Sequence, residues 1–406
     1  MTSATKTPEQ IGPPPQPAFV EWARKNLFSS WYNALLSVLS MALVVWVAFV
    51  TLRWVFVGAD WSPITDNILL YLIGQFPRDL IWRIGIAIAV FTLLTGVSLA
   101  MFGGLIRAFA WTLAVVYVFL AVIPSTGGSF YPTALRVFFA AMPALLYASN
   151  WIAKRRPPKT SYLALAWGLS VVLDLFLLRG LDLFGNLLVG VPVNLWGGLI
   201  VTILLAVGGI VISFPIGVLL ALGRRSSLPV VRVFSTTFIE GVRGVPLITI
   251  LFLGSLLVPL FLPQEMRIDR LVRALIGMTI FSAAYTAENI RGGLQAIPQG
   301  QYEAADALAL SGFHTTTFII LPQAIRLVIP AIVGQFISLF KDTTLASGVA
   351  VLEILLIGRS VLNSEPSYVT LQFEVFGFIG LVFWIFSYAM SASSRQVEER
   401  LGVGQR

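Results

Sequence analysis

The sequence predicts an all-α, polytopic helical membrane protein with about ten transmembrane helices. Three observations carry that prediction. The 406 residues are 57% hydrophobic and only 11% charged, with a mean hydropathy of +0.87. A soluble chain of this length needs a far more charged surface. The apolar runs are continuous and long enough to cross a hydrocarbon core of about 30 Å. A β-barrel would instead show alternating segments of about ten residues.

The spans follow in order. Asn33–Val57 is preceded by Arg24-Lys25. Ile84–Phe102 and Ala108–Ile123 are separated by Gly103-Gly104 and Arg107. Leu135–Ala153 ends in the basic run Lys154 to Lys159, and Ser161–Leu178 follows it. Leu195–Leu222 ends in Gly223-Arg224-Arg225. The next span rises from about Val230 to Leu262 and is interrupted at Gly244-Val245-Pro246, because proline removes a helix hydrogen bond. Leu271–Ile290, Ala324–Phe340 and Leu371–Ser391 complete the set. Ile68–Ile81 and Leu345–Ile357 are shorter apolar runs, expected to be interfacial or re-entrant.

The basic residues give the topology. Arg107, Lys154 to Lys159, Arg224-Arg225, Arg291, Arg395 and Arg400 fall on one set of alternate loops. Asp60, Asp66, Asp79, Asp182, Glu265 and Asp269 fall on the other. The net charge of +8 is therefore the positive-inside signal, with both termini cytoplasmic, and not the footprint of a nucleic-acid partner. Residues 1–20 are polar and Pro-rich, without the apolar core of a cleavable signal. Residues 1–32 are expected to be a cytoplasmic tail, residues 33–190 a separable transmembrane extension, and residues 191–406 the functional domain. No cysteine is present and His314 is the single histidine, which excludes disulfides, thiol catalysis and multi-His metal sites. No catalytic residue, metal or cofactor is expected.

Patterned polar residues begin after about residue 190. Four blocks stand in order: Glu240-Gly241-Val242-Arg243-Gly244-Val245-Pro246-Leu247; Ser282 to Gly293; Ile297 to Ala305, continuing to Ile320-Leu321-Pro322-Gln323-Ala324; and Lys341-Asp342-Thr343-Thr344-Leu345-Ala346-Ser347. Together they resemble the transmembrane subunits of ABC importers for polar amino acids, the histidine/glutamate/glutamine permease group. The likeness runs from about Leu195 to Arg400. The long N-terminal extension resembles the subgroup serving general L-amino-acid uptake or glutamate/glutamine/aspartate/asparagine uptake.

The resemblance implies a cytoplasmic coupling loop at 291–323 that seats a short helix in an ATP-binding subunit. Its motif falls here on Glu303, Ala304, Ala305, Leu321 and Pro322, and the glycine of the pattern is Ala309, with Gly312 the nearest glycine. Alanine takes positive φ at a cost, so the turn is expected at Ser311-Gly312 instead. Gln301 to Leu310 has high helix propensity, and Ala304, Ala307, Leu308 and Ser311 share one face. Alone, such a face is equally a solvated loop. No G-x-x-x-x-G-K-[ST] run is present, so any ATP must bind a separate subunit.

Charges inside spans are costly in lipid and turn towards a cavity or towards each other. Glu240, Arg243, Glu288, Lys341 and Asp342 are the candidates for a substrate site. Arg243 beside the helix break would take a carboxylate and Glu288 an ammonium; the bland alternative is that they pair structurally. The reading is thus a non-enzymatic permease subunit in the bacterial cytoplasmic membrane. It would import polar L-amino acids with ATP-binding cassette subunits, a periplasmic or extracellular amino-acid-binding protein, a second permease subunit of the same or a similar chain, and surrounding lipid. The alternative is an ion-coupled secondary amino acid transporter, although no inverted repeat supports it.

Overall fold

The computed structural model describes residues 19–123, 133–180, 189–261, 263 and 268–402, so Asp182 and Glu265 of the topology argument lie outside the described residues. The chain forms two compact units, the first ending at Asp60. That unit holds α1 (Phe19–Asn26) and α2 (Trp31–Arg53), the latter prolonged by a π-helical turn to Gly58. Ser30 caps α2 by accepting from the Asn33 N–H at 3.4 Å. No residue of α2 is buried, as suits a helix whose whole circumference is apolar.

The second unit starts at Trp61. The short helices α3 (Ser62–Thr65) and α4 (Ile68–Ile73) lead to α5 (Ile81–Phe102), α6 (Gly104–Val122), α7 (Thr133–Arg155) and α8 (Thr160–Arg179). Then come α9 (Gly198–Arg224), α10 (Pro229–Arg243), α11 (Leu247–Phe252), α12 (Val258–Phe261) and α13 (Arg270–Gln295). The chain closes with α14 (Gln299–Ala307), α15 (Gly312–His314), α16 (Leu321–Asp342), α17 (Ile354–Leu362) and α18 (Gln372–Leu401). Among the described residues, extended pairing is limited to two isolated bridges, Gly74 with Trp196 and Gly198 with Glu353.

A helix stands at each of the ten expected spans. Seven are long and apolar enough to cross a membrane, and the pair α10 and α11–α12, bent by 105° at Gly244-Val245-Pro246, makes up to eight. The other two positions are α6, which is short, and α13, which is too polar. The polarity of α13 has a packing cause. It lies against α9, α10, α11 and α16, so its faces meet protein rather than lipid, and small or hydroxylated residues suit it. Ala283, Ala284, Ala287 and Ile290 are fully buried, and Ser213 of α9 shares a hydrogen bond of 2.9 Å with Ser282. Gly217 of α9 permits this approach: a Cβ there would stand 2.8 Å from Thr286.

The two shorter apolar runs do not span. The helix α4 is buried against α9 and α17, and the other run is a 3-10 segment, Thr343–Val349, followed by α17. Gly198 opens α9 at φ +65°, and a Cβ there would clash with the Tyr71 carbonyl. One hydrophobic cluster joins Ile64, Tyr71, Tyr117 and Phe139 of the extension to Ile354, Val361 and Ile379 of the second half. Tyr368 Oη donates to Asp66 Oδ2 at 3.4 Å across the same division. We propose that residue 190 marks a boundary of sequence and not of folding, because removing the extension would uncover this shared core.

The segment joining α13 to α16 departs from expectation at its turn. The chain reverses at Ala309, which takes φ +54°, and Gly312 is simply the first residue of α15. The Leu310 N–H donates to the Ala305 carbonyl at 3.1 Å and the Ala309 N–H to that of Asp306 at 2.9 Å. This pair of bonds is a Schellman ending for α14, which requires a left-handed residue at position 309. The hydrogen bonds of the cap hold an alanine where glycine is favoured. Ser311 then caps α15, accepting from the His314 N–H at 3.4 Å. The substitution Ala309→Gly should stabilise this segment by about 0.5–1 kcal/mol, since a left-handed L-residue is strained by about that much or more. Amide exchange at Leu310 should slow accordingly; an unchanged rate would mean that the alanine carries no strain there.

Candidate functional site

Charged side chains converge where α9, α10 and α13 meet. Arg224 ends α9, Glu240 and Arg243 lie in the last turn of α10, and Glu288 and Arg291 lie on successive turns near the end of α13. Arg291 grips Glu288 with a fork, Nε to Oε2 at 2.9 Å and Nη2 to Oε1 at 2.6 Å, the geometry in which guanidinium and carboxylate bind best. Arg224 Nη1 lies 3.4 Å and Arg243 Nη1 3.5 Å from Glu288 Oε2. Arg224 also binds Glu240 at 2.8 Å. Glu288 is thus shared by three arginines. Its side chain is 23% exposed and that of Glu240 is 53% exposed, so Glu240 is the more accessible acceptor.

The cluster is not charge-balanced: three arginines face two carboxylates. Arg243 stands 5.5 Å from the Tyr285 ring, and its Nε is buried without a hydrogen-bond partner. The five side chains carry one positive charge in excess. It lies towards the coupling end of α13, since Glu288 is seven residues before the last residue, Gln295.

Lys341 and Asp342 are elsewhere. They end α16, whose 22 residues run about 33 Å from Leu321, beside the coupling segment. Lys341 is exposed, and among the described residues the two make no ion pair with each other. The structure therefore brings Glu240, Arg243 and Glu288 together and leaves Lys341 and Asp342 apart from them. Arg224 and Arg291 join the cluster although the sequence showed them only as topological charges. The spacing of Glu288 and Arg291, one helical turn, was the available signal.

The segment expected to serve in coupling is presented outward. Glu303 is exposed and makes no ion pair among the described residues; Ala304 is exposed, while Ala305 is buried against the protein. Leu308 and Phe313 are 73% and 70% exposed, and Phe318 is exposed beside them. Leu321 and Pro322 open α16, and Gln323 Nε2 ties it to Gln301 Oε1 at 3.1 Å. Arg225 joins the end of α9 to this segment, donating to the Leu294 carbonyl and to Tyr302 Oη, both at 3.2 Å. Arg225 thereby ties α14 to α9 and α13, next to the ion cluster.

Comparison with known proteins gives this geometry a family. Residues 213–403 match the family described as binding-protein-dependent transport system inner membrane component. The chain is 36% identical over 416 residues to the inner membrane amino-acid ABC transporter permease protein YhdY of Escherichia coli K12, covering 97% of both chains. It is 34% identical over 437 residues to the glutamate/glutamine/aspartate/asparagine transport system permease protein BztC of Rhodobacter capsulatus, covering 98% of both. The probable glutamine ABC transporter permease protein GlnP of Bacillus subtilis is 34% identical over 206 residues, which is 93% of that protein and 51% of this one. The first two relatives thus match nearly the whole chain, the N-terminal extension included, and the third about half of it. Nothing among these relatives supports an ion-coupled secondary transporter. The chain belongs to the amino-acid ABC transporter permeases, multi-pass inner membrane subunits of binding-protein-dependent transport systems.

Proposed function

We propose that this chain forms the translocation path of an ATP-driven importer of polar L-amino acids, of the glutamate, glutamine, aspartate and asparagine type named for its Rhodobacter relative. ATP is hydrolysed by a separate subunit seated on α14, an amino-acid-binding protein delivers the cargo, and a second permease of the same or a similar chain completes the path. Both termini face the cytoplasm. The observation that carries the reading is the exposed face of the coupling segment, Glu303, Leu308 and Phe313, which this chain leaves uncovered. Exposed apolar side chains rimmed by a charge suit a protein partner. Uptake of L-glutamate and L-glutamine into proteoliposomes holding the full assembly tests it. Uptake should require ATP and survive ionophores; ionophore-sensitive uptake without ATP would overturn the proposal.

The Arg243 cluster is the proposed inner contact of the cargo. Arg243 offers a partly exposed guanidinium to a carboxylate, and Glu240 is the open acceptor for an ammonium. Glu288 holds the arginines in place and accepts cargo only when one of them moves away.

Charge reversal by Glu303→Arg should leave the chain inserted and folded while weakening its grip on the ATP-binding subunit by about tenfold or more. Pull-down of that subunit reads the effect; undiminished binding and uptake would exclude α14 as the seat. Arg243→Lys keeps the charge but loses the fork, and should lower amino-acid uptake by about tenfold or more with assembly retained. Glu288→Gln should lower both uptake and expression, because it leaves three arginines without their shared carboxylate. Uptake at the normal rate in both variants would remove the cluster from the path.

A further inference from the structure

The turn between α7 and α8 carries a dense run of like charge whose part so far is topological. Lys154, Arg155, Arg156 and Lys159 fall within six residues, and the sequence holds no acidic residue between Asp79 and Asp174. All four are exposed and, among the described residues, none forms an ion pair. Arg224, Arg225 and Arg291 differ, since each is bound within the protein to a carboxylate, a carbonyl or a tyrosine hydroxyl. The charge of this turn is thus left without an answer inside the chain.

Two of these cations lie against aromatic rings. Arg155 Cζ stands 3.6 Å from the centroid of the Trp151 ring, one turn further inside α7. Lys159 Nζ stands 5.9 Å from that of Tyr162, in the first turn of α8. Both rings are themselves open, Trp151 at 45% and Tyr162 at 62% exposure, and Ile152 and Leu165 beside them are exposed too. The helices α7 and α8 are each long and apolar enough to cross a membrane, so their joined ends stand at the depth of lipid headgroups, where tryptophan and tyrosine are favoured. The connection is four residues long and includes Pro157 and Pro158, whose rings fix φ. The Lys159 carbonyl accepts from the Tyr162 N–H at 3.0 Å, which ties that cation to the start of α8. The four charges are therefore held on a short, stiff arc at the membrane surface.

We propose that this turn is a binding surface for the headgroups of anionic phospholipid. Arg155 and Lys159 donate to the lipid phosphate, Lys154 and Arg156 add to the attraction, and Trp151 and Tyr162 pack beside the lipid where headgroup meets acyl chain. Charge alone would suit an acidic protein equally. The rings decide for lipid, because they hold two of the cations next to the apolar flanks of two membrane helices, where a long basic side chain lays its stem on apolar surface and keeps its head among polar groups. The proposal needs only that α7 and α8 cross a membrane and does not depend on the cargo.

The purified full chain is titrated with phosphatidylglycerol and, separately, with phosphatidylcholine of the same acyl chains, and native mass spectrometry reads the occupancy of the first bound lipid. The wild type should bind phosphatidylglycerol about tenfold more tightly or better. The double variant Arg155→Gln with Lys159→Gln keeps Lys154 and Arg156 to hold the topology and should lose about tenfold or more, at about fivefold for each charge. Trp151→Leu removes a ring and no charge, and should weaken phosphatidylglycerol binding about twofold to fivefold; it decides alone if the double variant does not insert. Arg107→Gln removes an exposed cation outside the turn and should change binding by less than about twofold. Equal affinity for the two lipids, or an effect of Arg107→Gln as large as that of the double variant, overturns the site. Competition by glycerol phosphate at matched ionic strength assigns the cations to a free phosphate ester and overturns the lipid assignment. Unchanged lipid binding in the double variant overturns it as well, and loss of the ATP-binding subunit in pull-down would then give the turn to a protein partner.

Discussion

The close contact of α9 with α13 is the constraint on which the rest depends. It rests on Gly217 lying against Thr286, on Ser213 bonded to Ser282, and on alanines that are wholly buried. In a membrane there is little hydrophobic force between helices, so association comes from close packing and internal hydrogen bonds. A Cβ at position 217 would push the helices apart by its clash with Thr286. That displacement would separate Arg224 from Glu288 and Arg225 from Tyr302, because each pair bridges the same two helices or their continuation. The contacts that Arg224 and Arg225 make with Glu288 and Tyr302 therefore depend on this packing, whereas the Arg291–Glu288 fork lies within α13 itself.

Much of the fold was legible because membrane crossing demands long apolar runs with interrupted ends, and each expected span has its helix. The bend at Gly244-Val245-Pro246 followed from proline chemistry alone. What hydropathy could not convey was which helix lies innermost. The small and polar character of α13 looks like weakness as a span, yet it reflects burial among four other helices. The motif-free sequence of the extension likewise gave no sign that Tyr71 and Tyr117 share a core with Ile354 and Ile379.

The candidate sites were legible unevenly, for a related reason. Glu303, Arg243 and Glu288 announced themselves as charges in apolar or helical settings. Arg224 and Arg291 were hidden by a second role, since an arginine that fixes topology looks the same in sequence as one that holds a carboxylate. The turn at Ala309 was assigned to Gly312 because local propensity favours glycine, whereas the two cap hydrogen bonds of α14 outweigh a strain of about 1 kcal/mol.

The positions of the two arginine groups bear on how a charged cargo crosses. A carboxylate stripped of water and donors together faces a cost far above any gain from a gradient of concentration. Arg270 and Arg273 stand at one end of α13, while Arg243 and Arg291 gather about Glu288 near the other. From residue 270 to residue 288 is 18 residues, about 27 Å of helix. After the turn at Ala296-Ile297-Pro298, α13 is followed by α14, where the ATP-binding subunit is proposed to act. Arg225 ties the end of α9 to α13 and α14 through the Leu294 carbonyl and Tyr302 Oη. On the proposed function, a displacement of α14 would reach Glu288 and its arginines before it reached the far end of α13.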